Sequence, residues 1–357
     1  MIPKTQENFS GQTFFIGLDV HKRQWTVAIR TQGVLVQRCS MNPSPKELKR
    51  FLEHTYPGGT YQSVYEAGFC GFWIHQQLLE QGIENIVVHS PDVPTSDKER
   101  KGKCDRRDAR KLSRELENRS LTGIYVPDDH QQHLRSLCRL RERHIRSLTR
   151  VKNRIKGHLH FYGVVPPPDQ KMRHWSGRFV QWLQTVEFSS PPATDYLRLC
   201  LTELEEHRRR LVEIMRLLRQ YCRQQPHKEP IRCLISVPGI GFVLAVTLYT
   251  ELMSMDRFAT LDQLAAYVGL VPSITSSDEH DIDHGLTCRH NTYLRALLIE
   301  AAWIAIRKDV GLLRTFTQLT RRMNKKNAII RIAKKLLNRI RYVWKQQTVY
   351  RMKSVAT

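Results

Sequence analysis

Two aspartates, Asp105 and Asp108, stand three residues apart inside KGKCDRRDARKL (101–112), a run otherwise dominated by lysine and arginine. An i,i+3 pair shares one face of a helix. Two further acids close predicted strands: Asp19 in TFFIGLDV (13–20) and Glu66 in YQSVYEAG (61–68). Strand ends in a layered sheet converge on one edge, and a helix laid across that edge brings its acids to theirs. Bare carboxylates ~4 Å apart repel by about 1 kcal/mol per pair in water, and several-fold more at a protein's effective dielectric. Such a group calls for a cation. Oxygen-only ligands beside a phosphate suit Mg2+, which polarises the phosphoryl group and stabilises the leaving oxygen. The plainer reading pairs Asp105 and Asp108 with Arg106, Arg107 or Arg110 on a solvated face. Spacing alone leaves both open.

The elements that would position these acids can be read around them. TFFIGLDV predicts a buried strand and QWTVAIR (24–30) its antiparallel partner. PSPKELKRFLEHTY (43–56) has helical spacing after a Ser-Pro start, FWIHQQLLEQG (72–82) is a helix closed by Gly82, and IENIVVHSP (83–91) is a further strand. Strands alternating with helices predict an α/β layered domain over 11–127, with the aspartate pair on a helix near its end.

Beyond residue 128 the pattern turns helical. Leu137, Leu140, Ile145, Leu148, Val151, Ile155 and Leu159 recur at near-helical spacing, and nine Arg/Lys face one acid between residues 135 and 156. GVVPPPDQ (163–170) breaks that helix. Leu201, Leu204, Arg208, Leu211, Met215, Leu218 and Cys222 then step by threes and fours, a heptad seam with one charged intruder. Two long helices packed within one chain, or a coiled-coil arm used in dimerisation, both explain it; the region spans 128–227. In the third region, 228–357, IRCLISVPGIGFVLAVTLYTEL (231–252) reads as a helix-hairpin-helix whose turn amides can receive a backbone phosphate. An ordinary glycine turn between core helices is the alternative. LDQLAAYVGLVPS (261–273) is a helix running into a loop, SITSSDEHDIDHGLT (273–287), and helices dominate the rest.

Charge narrows the partner. The 357 residues carry 57 Lys/Arg against 34 acids, a formal net charge of +23, and residues 305–357 hold fifteen Lys/Arg and one acid. A surface of that sign attracts polyanions, nucleic acid first among them. The longest apolar stretches contain Pro and Gly and fall short of the roughly 20 residues a membrane span needs. MIPKTQENFSGQTFF lacks the layout of a secretory signal, and eight scattered cysteines without a CxxC pair predict free thiols in a cytoplasmic protein rather than zinc or disulfides.

FIGLDVHK, YEAGFCG, KCDRRDARKL, VPGIG and LAAYVGLVPS occur here in one order. In that order the chain resembles the DEDD-type transposases of the insertion sequence 110 family, relatives of the Piv-type DNA invertases, over about residues 14–305. The resemblance implies a RuvC-like, ribonuclease-H-type first domain with Asp19, Glu66, Asp105 and Asp108 as its Asp-Glu-Asp-Asp ligands to Mg2+. A coiled-coil region and a mainly helical transposase domain with a nucleophilic serine would follow. Among Ser273, Ser276 and Ser277 in GLVPSITSSDEH, the offset from the Gly-Leu block falls on Ser277, with Ser276 second. The activity implied is DNA transposition by transesterification, with donor and target DNA and a non-coding bridge RNA as partners, in dimers of dimers. Asp278 follows Ser277 where the family commonly has glycine, and CRHNTYLR (288–295) has His290 where its basic block has glycine. Two other classes stand beside it. One is a RuvC-type nuclease or junction resolvase that needs the four acids but no serine, water being the nucleophile. The other is a non-enzymatic nucleic-acid binder that works through its basic helices and glycine hairpin.

Overall fold

The computed structural model describes residues 8–94, 105–167, 175–277, 280–286 and 290–351, and for 105–106, 272–277 and 280–286 it describes the backbone alone. The chain divides into two compact units, Met1–Val126 and Pro127–Thr357.

The first unit is built on a five-stranded sheet in the order β3-β2-β1-β4-β5. Its strands are β1 (Thr13–Val20), β2 (Trp25–Thr31), β3 (Val34–Met41), β4 (Thr60–Glu66) and β5 (Glu84–Val88). β1 to β3 form an antiparallel meander, and β1, β4 and β5 run parallel. Helices α1 (Pro45–Thr55) and α2 (Trp73–Glu80) supply the crossovers. Ser44 caps α1, its hydroxyl accepting from the Glu47 amide, and Pro45 occupies the first turn, where a missing N–H costs nothing. Phe14, Ile16 and Leu18 of β1 face α1 and α2 and pack with Leu48, Leu52, Ile74 and Leu78. On the opposite face Val64 and Val88 pack with Leu112 of α3 (Asp105–Glu117). A sheet with helices on both faces, followed by a mainly helical region, is a mixed α/β arrangement consistent with a RuvC-like fold.

The second unit holds nine helices among its described residues. α4 (Asp129–Phe161) and α6 (Pro191–Tyr221) lie along each other, with α5 (Gly177–Thr185) packed beside them. Val151, Ile155 and Leu159 meet Leu197, Leu201 and Leu204 at one end of the pair. At the other end Leu134 and Cys138 join Ile214, Leu218 and Cys222 in the core of the C-terminal helices. Leu201, Leu204, Met215, Leu218 and Cys222 of the heptad thus pack within this chain. Between the two apolar ends the seam is polar: His144 Nδ1 meets His207 Nδ1 at 3.0 Å, and Arg208 turns aside to donate to the Trp175 carbonyl at 2.8 Å. The remaining helices are α7 (Lys228–Ile235), α8 (Phe242–Leu252), α9 (Leu261–Val268), α10 (Thr292–Lys308), α11 (Val310–Thr320) and α12 (Lys325–Lys345). The segment read as a loop over 273–287 instead forms a hairpin of β6 (Pro272–Ser277) and β7 (His280–Leu286). Its β-branched Ile274, Thr275 and Ile282 favour extended backbone, a preference masked by the surrounding polar residues. No described helix is long and apolar enough to cross a membrane.

Candidate active site

Asp19 and Glu66 are brought together by strand register. β1 and β4 pair in parallel with Gly17 opposite Val64 and, at the end of the ladder, Leu18 opposite Tyr65; Asp19 and Glu66 are the next residue on each strand. Alternation along a strand puts Asp19 on the face of Gly17 and Glu66 on the face of Val64, and both are the α3 side of the sheet. Adjacent strands lie about 4.8 Å apart, so the two acids are lateral neighbours at the carboxyl ends of parallel strands. In open α/β sheets that edge is where ligands bind. His21 lies beside them, its Nε2 3.2 Å from Asp19 Oδ2.

Gly17 sets how closely α3 can approach. A Cβ there would stand 2.0 Å from the Ala109 carbonyl oxygen and 2.5 Å from the Ser113 amide nitrogen, so only glycine lets the helix backbone lie on β1. The direction of α3 is fixed at its other end. Glu117 accepts from Arg30 Nε at 2.8 Å and from the Gly33 amide at 2.7 Å, at the turn between β2 and β3. Arg30 pairs with Phe15 near the start of β1. The helix therefore runs antiparallel to β1. From Ala109 over Gly17, the four residues back along α3 to Asp105 cover about 6 Å, matching the roughly 7 Å from Gly17 to Asp19 along the strand. The first turn of α3, with Asp105 and Asp108, thus lies toward the strand ends that carry Asp19 and Glu66.

Among the described residues no three histidine, cysteine or acidic side chains are gathered closely enough to hold an ion. The side chain of Asp105 lies outside the described residues. The donor chemistry is all carboxylate oxygen, which suits Mg2+.

The predicted serine region lies in the second unit. Ser277 ends β6 and pairs in register with His280 of β7, and Ser276 pairs with Asp281; the side chains of Ser273, Ser276 and Ser277, with Asp278 and Arg289, lie outside the described residues. The helices on either side of the hairpin are joined closely. Gly269 caps α9 in the left-handed conformation at φ +81°, where a Cβ would stand 2.5 Å from His290 Cγ and 2.6 Å from Arg295 Nη2. Asn291 donates its amide to the Tyr267 carbonyl at 2.9 Å and caps α10 by accepting from the Leu294 amide at 3.1 Å.

One residue behind this frame escaped the reading of the sequence. Glu251 of α8 is 2% exposed yet charged. Its carboxylate accepts from Arg135 Nη2 at 2.8 Å, from Arg139 Nε at 2.9 Å and from Asn291 Nδ2 at 3.1 Å. Burial alone would raise its pKa; the hydrogen bonds and charges of Arg135 and Arg139 outweigh it and hold the group at about 2. A lone acid in the apolar run LAVTLYTELM, with arginines four apart in a distant helix, was the available signal.

The glycine turn of residues 236–241 joins α7 to α8 as a helical hairpin. Gly239, at φ +90°, lies so close to α10 that a Cβ would come 2.6 Å from the Ala301 carbonyl oxygen.

Residues 16–164 match a DEDD transposase model of the IS110 family, and residues 231–318 match the model described as Transposase IS116/IS110/IS902 family. A Sinorhizobium fredii protein bearing a transposase name, y4rJ, is 30% identical over 298 residues, covering 77% of this chain and 74% of that one. A second from the same organism, y4qE, is 27% identical over 299 residues, covering 81% and 71%. The transposase for insertion sequence element IS1111A of Coxiella burnetii is 26% identical over 250 residues, covering 68% and 65%. Both family models fall on the regions that carry the acids and the hairpin, and this chain belongs to the IS110 family of transposases.

Proposed function

We propose that this transposase cuts and rejoins DNA through a covalent serine–phosphodiester intermediate, with Ser277 as nucleophile and Asp19, Glu66, Asp105 and Asp108 as the ligands of Mg2+. The observation that carries the acidic half is the adjacency of Asp19 and Glu66 on the face crossed by α3, whose first turn bears the aspartate pair. Mg2+ bound by these carboxylates supplies charge neutralisation at the phosphoryl oxygens and at the leaving oxygen. In the first step the Ser277 hydroxyl oxygen bonds to phosphorus, one ester P–O bond breaks, and the departing DNA hydroxyl takes up a proton. In the second, a hydroxyl of the new partner strand attacks the serine ester and the serine regains its proton. Each step exchanges one phosphate ester for another, so the bond energy is retained in the protein–DNA link. Target choice rests on a non-coding RNA of the element that pairs with donor and target DNA, leaving the protein to hold backbone and shape, and the synapse is a dimer of dimers.

Denaturing electrophoresis of labelled DNA after reaction tests this reading. The parent chain and Ser276→Ala yield a protein-linked strand; Ser277→Ala yields none, and Asp108→Asn abolishes strand exchange. Cut strands free of protein from the parent chain point instead to water as nucleophile, the junction-resolvase chemistry. A discrete RNA encoded beside the gene and copurifying with the protein tests the guide.

A further inference from the structure

We infer that a cleft at the C-terminal end of α12 binds single-stranded nucleic acid, with Tyr342 as a platform for a base and Arg341, Lys345 and Arg351 against the backbone. α12 buries Ile329, Ile332, Leu336, Ile340 and Val343 and turns Arg331, Lys335, Asn338, Tyr342 and Lys345 outward. These outward residues step by fours and threes and form one stripe along the helix, which ends in the cleft. The cleft measures about 1630 Å3, beyond the roughly 300–1,000 Å3 of small-molecule sites. Its size favours a polymer.

Charge gives the polymer its sign. Five cationic side chains line the cleft, and among the described residues Asp309 is the only carboxylate that does. Asp309 is already engaged, by Arg339 Nη1 at 2.6 Å, the Tyr350 hydroxyl at 3.3 Å and the Leu312 amide at 2.8 Å. Arg232 pairs with Glu229 at 2.7 Å. Arg341, which also donates to the Ala259 carbonyl at 2.8 Å, Lys345 and Arg351 face the cleft with no carboxylate of its lining left to neutralise them. The wall is built rather than trailing: the Tyr350 amide donates to Ser236 Oγ at 2.7 Å, and Arg339 lies 5.2 Å over the Tyr350 ring.

Tyr342 selects the strandedness. It is 64% exposed near the C-terminal end of this basic stripe, beside Lys345, an aromatic ring left in water. Bases of a duplex are stacked on each other, whereas an unpaired base can lie on a protein ring. A strand held by phosphate contacts and one stacked base satisfies both features. The inference takes from the proposed function only the class of polyanion, and its test requires no strand cleavage, so it stands or falls apart from Ser277.

Equilibrium binding of fluorescein-labelled oligothymidylate, oligouridylate and a DNA duplex to the full-length protein decides it. Tyr342→Ala should weaken binding of at least one single strand by about 5- to 150-fold, Tyr342→Phe should restore it, and duplex affinity should hold. Joint replacement Lys345→Gln and Arg351→Gln should lower the slope of log K against log salt by about 1.4 for single strands. Loss with oligouridylate alone would mark RNA as the occupant, loss with oligothymidylate alone would mark DNA, and either supports the site. Unchanged single-strand affinity in Tyr342→Ala, or an equal loss on the duplex, overturns it. Circular dichroism melting of Tyr342→Ala should match the parent, since the ring is exposed.

Discussion

Replacing Glu251 by glutamine keeps its shape and removes its charge, leaving Arg135 and Arg139 without the carboxylate they share. Breaking a buried pair from one side costs about 3 kcal/mol, and denaturant unfolding at neutral pH should show a loss of that size. The group's folded pKa of about 2 lies below its ordinary 4.5. Its stabilisation is therefore complete above 4.5 and disappears as pH falls through about 2. The gap between parent and Glu251→Gln should be widest at neutral pH and shrink through that window. At this scale the sequence was informative where residues fall in local motifs: Asp19, Glu66, Asp105 and Asp108 stood out by their places on strands and a helix. Glu251 did not, because its partners lie more than a hundred residues earlier and forty later. Charge patterns within a helix can be read from one window; pairing across helices cannot.

Among the elements, α3 owes its position to a single missing methyl group. Gly17→Ala would drive a Cβ against a main-chain oxygen that no rotamer change can move. Overpacking of this kind costs roughly 1–3 kcal/mol. Gly17→Ala should therefore lower the melting temperature and reduce strand exchange, while Gly11→Ala tests only local backbone strain, since its Cβ meets open space. The β1, β2, β4 and β5 strands and helices α1 and α2 were legible from hydrophobic spacing and the Ser-Pro start. β3 was not, although VLVQRCSM alternates between exposed and half-buried positions. No residue of that strand is fully buried, so its apolar content looked too weak for a strand. The hairpin of β6 and β7 hid for a related reason: its polar composition resembles a loop. The heptad spacing of α6 was plain, but spacing does not say which helix fills the seam. α4 of the same chain does, with the histidine pair and Arg208 replacing apolar contacts at mid-length.

For the molecule as a whole, net charge governs how it meets DNA. With a formal charge of +23, contacts to six to ten phosphates are well within its capacity. Binding to duplex should then weaken about 10³- to 10⁵-fold between 50 and 200 mM salt. Titrations at several salt concentrations check this, and a nearly flat dependence would mean that the basic surfaces do not touch the backbone. The Glu251 cluster has a further consequence during synthesis. Its contributors come from residues 135, 139, 251 and 291, so a ribosome must deliver most of the polypeptide before the cluster closes. A product terminated ahead of Asn291 also lacks all of α10, α11 and α12, and with them much of the apolar interior. Such a fragment leaves Glu251 without its Asn291 hydrogen bond and exposes greasy surface to proteases. Reading frames interrupted there should yield protein that is degraded rather than accumulated.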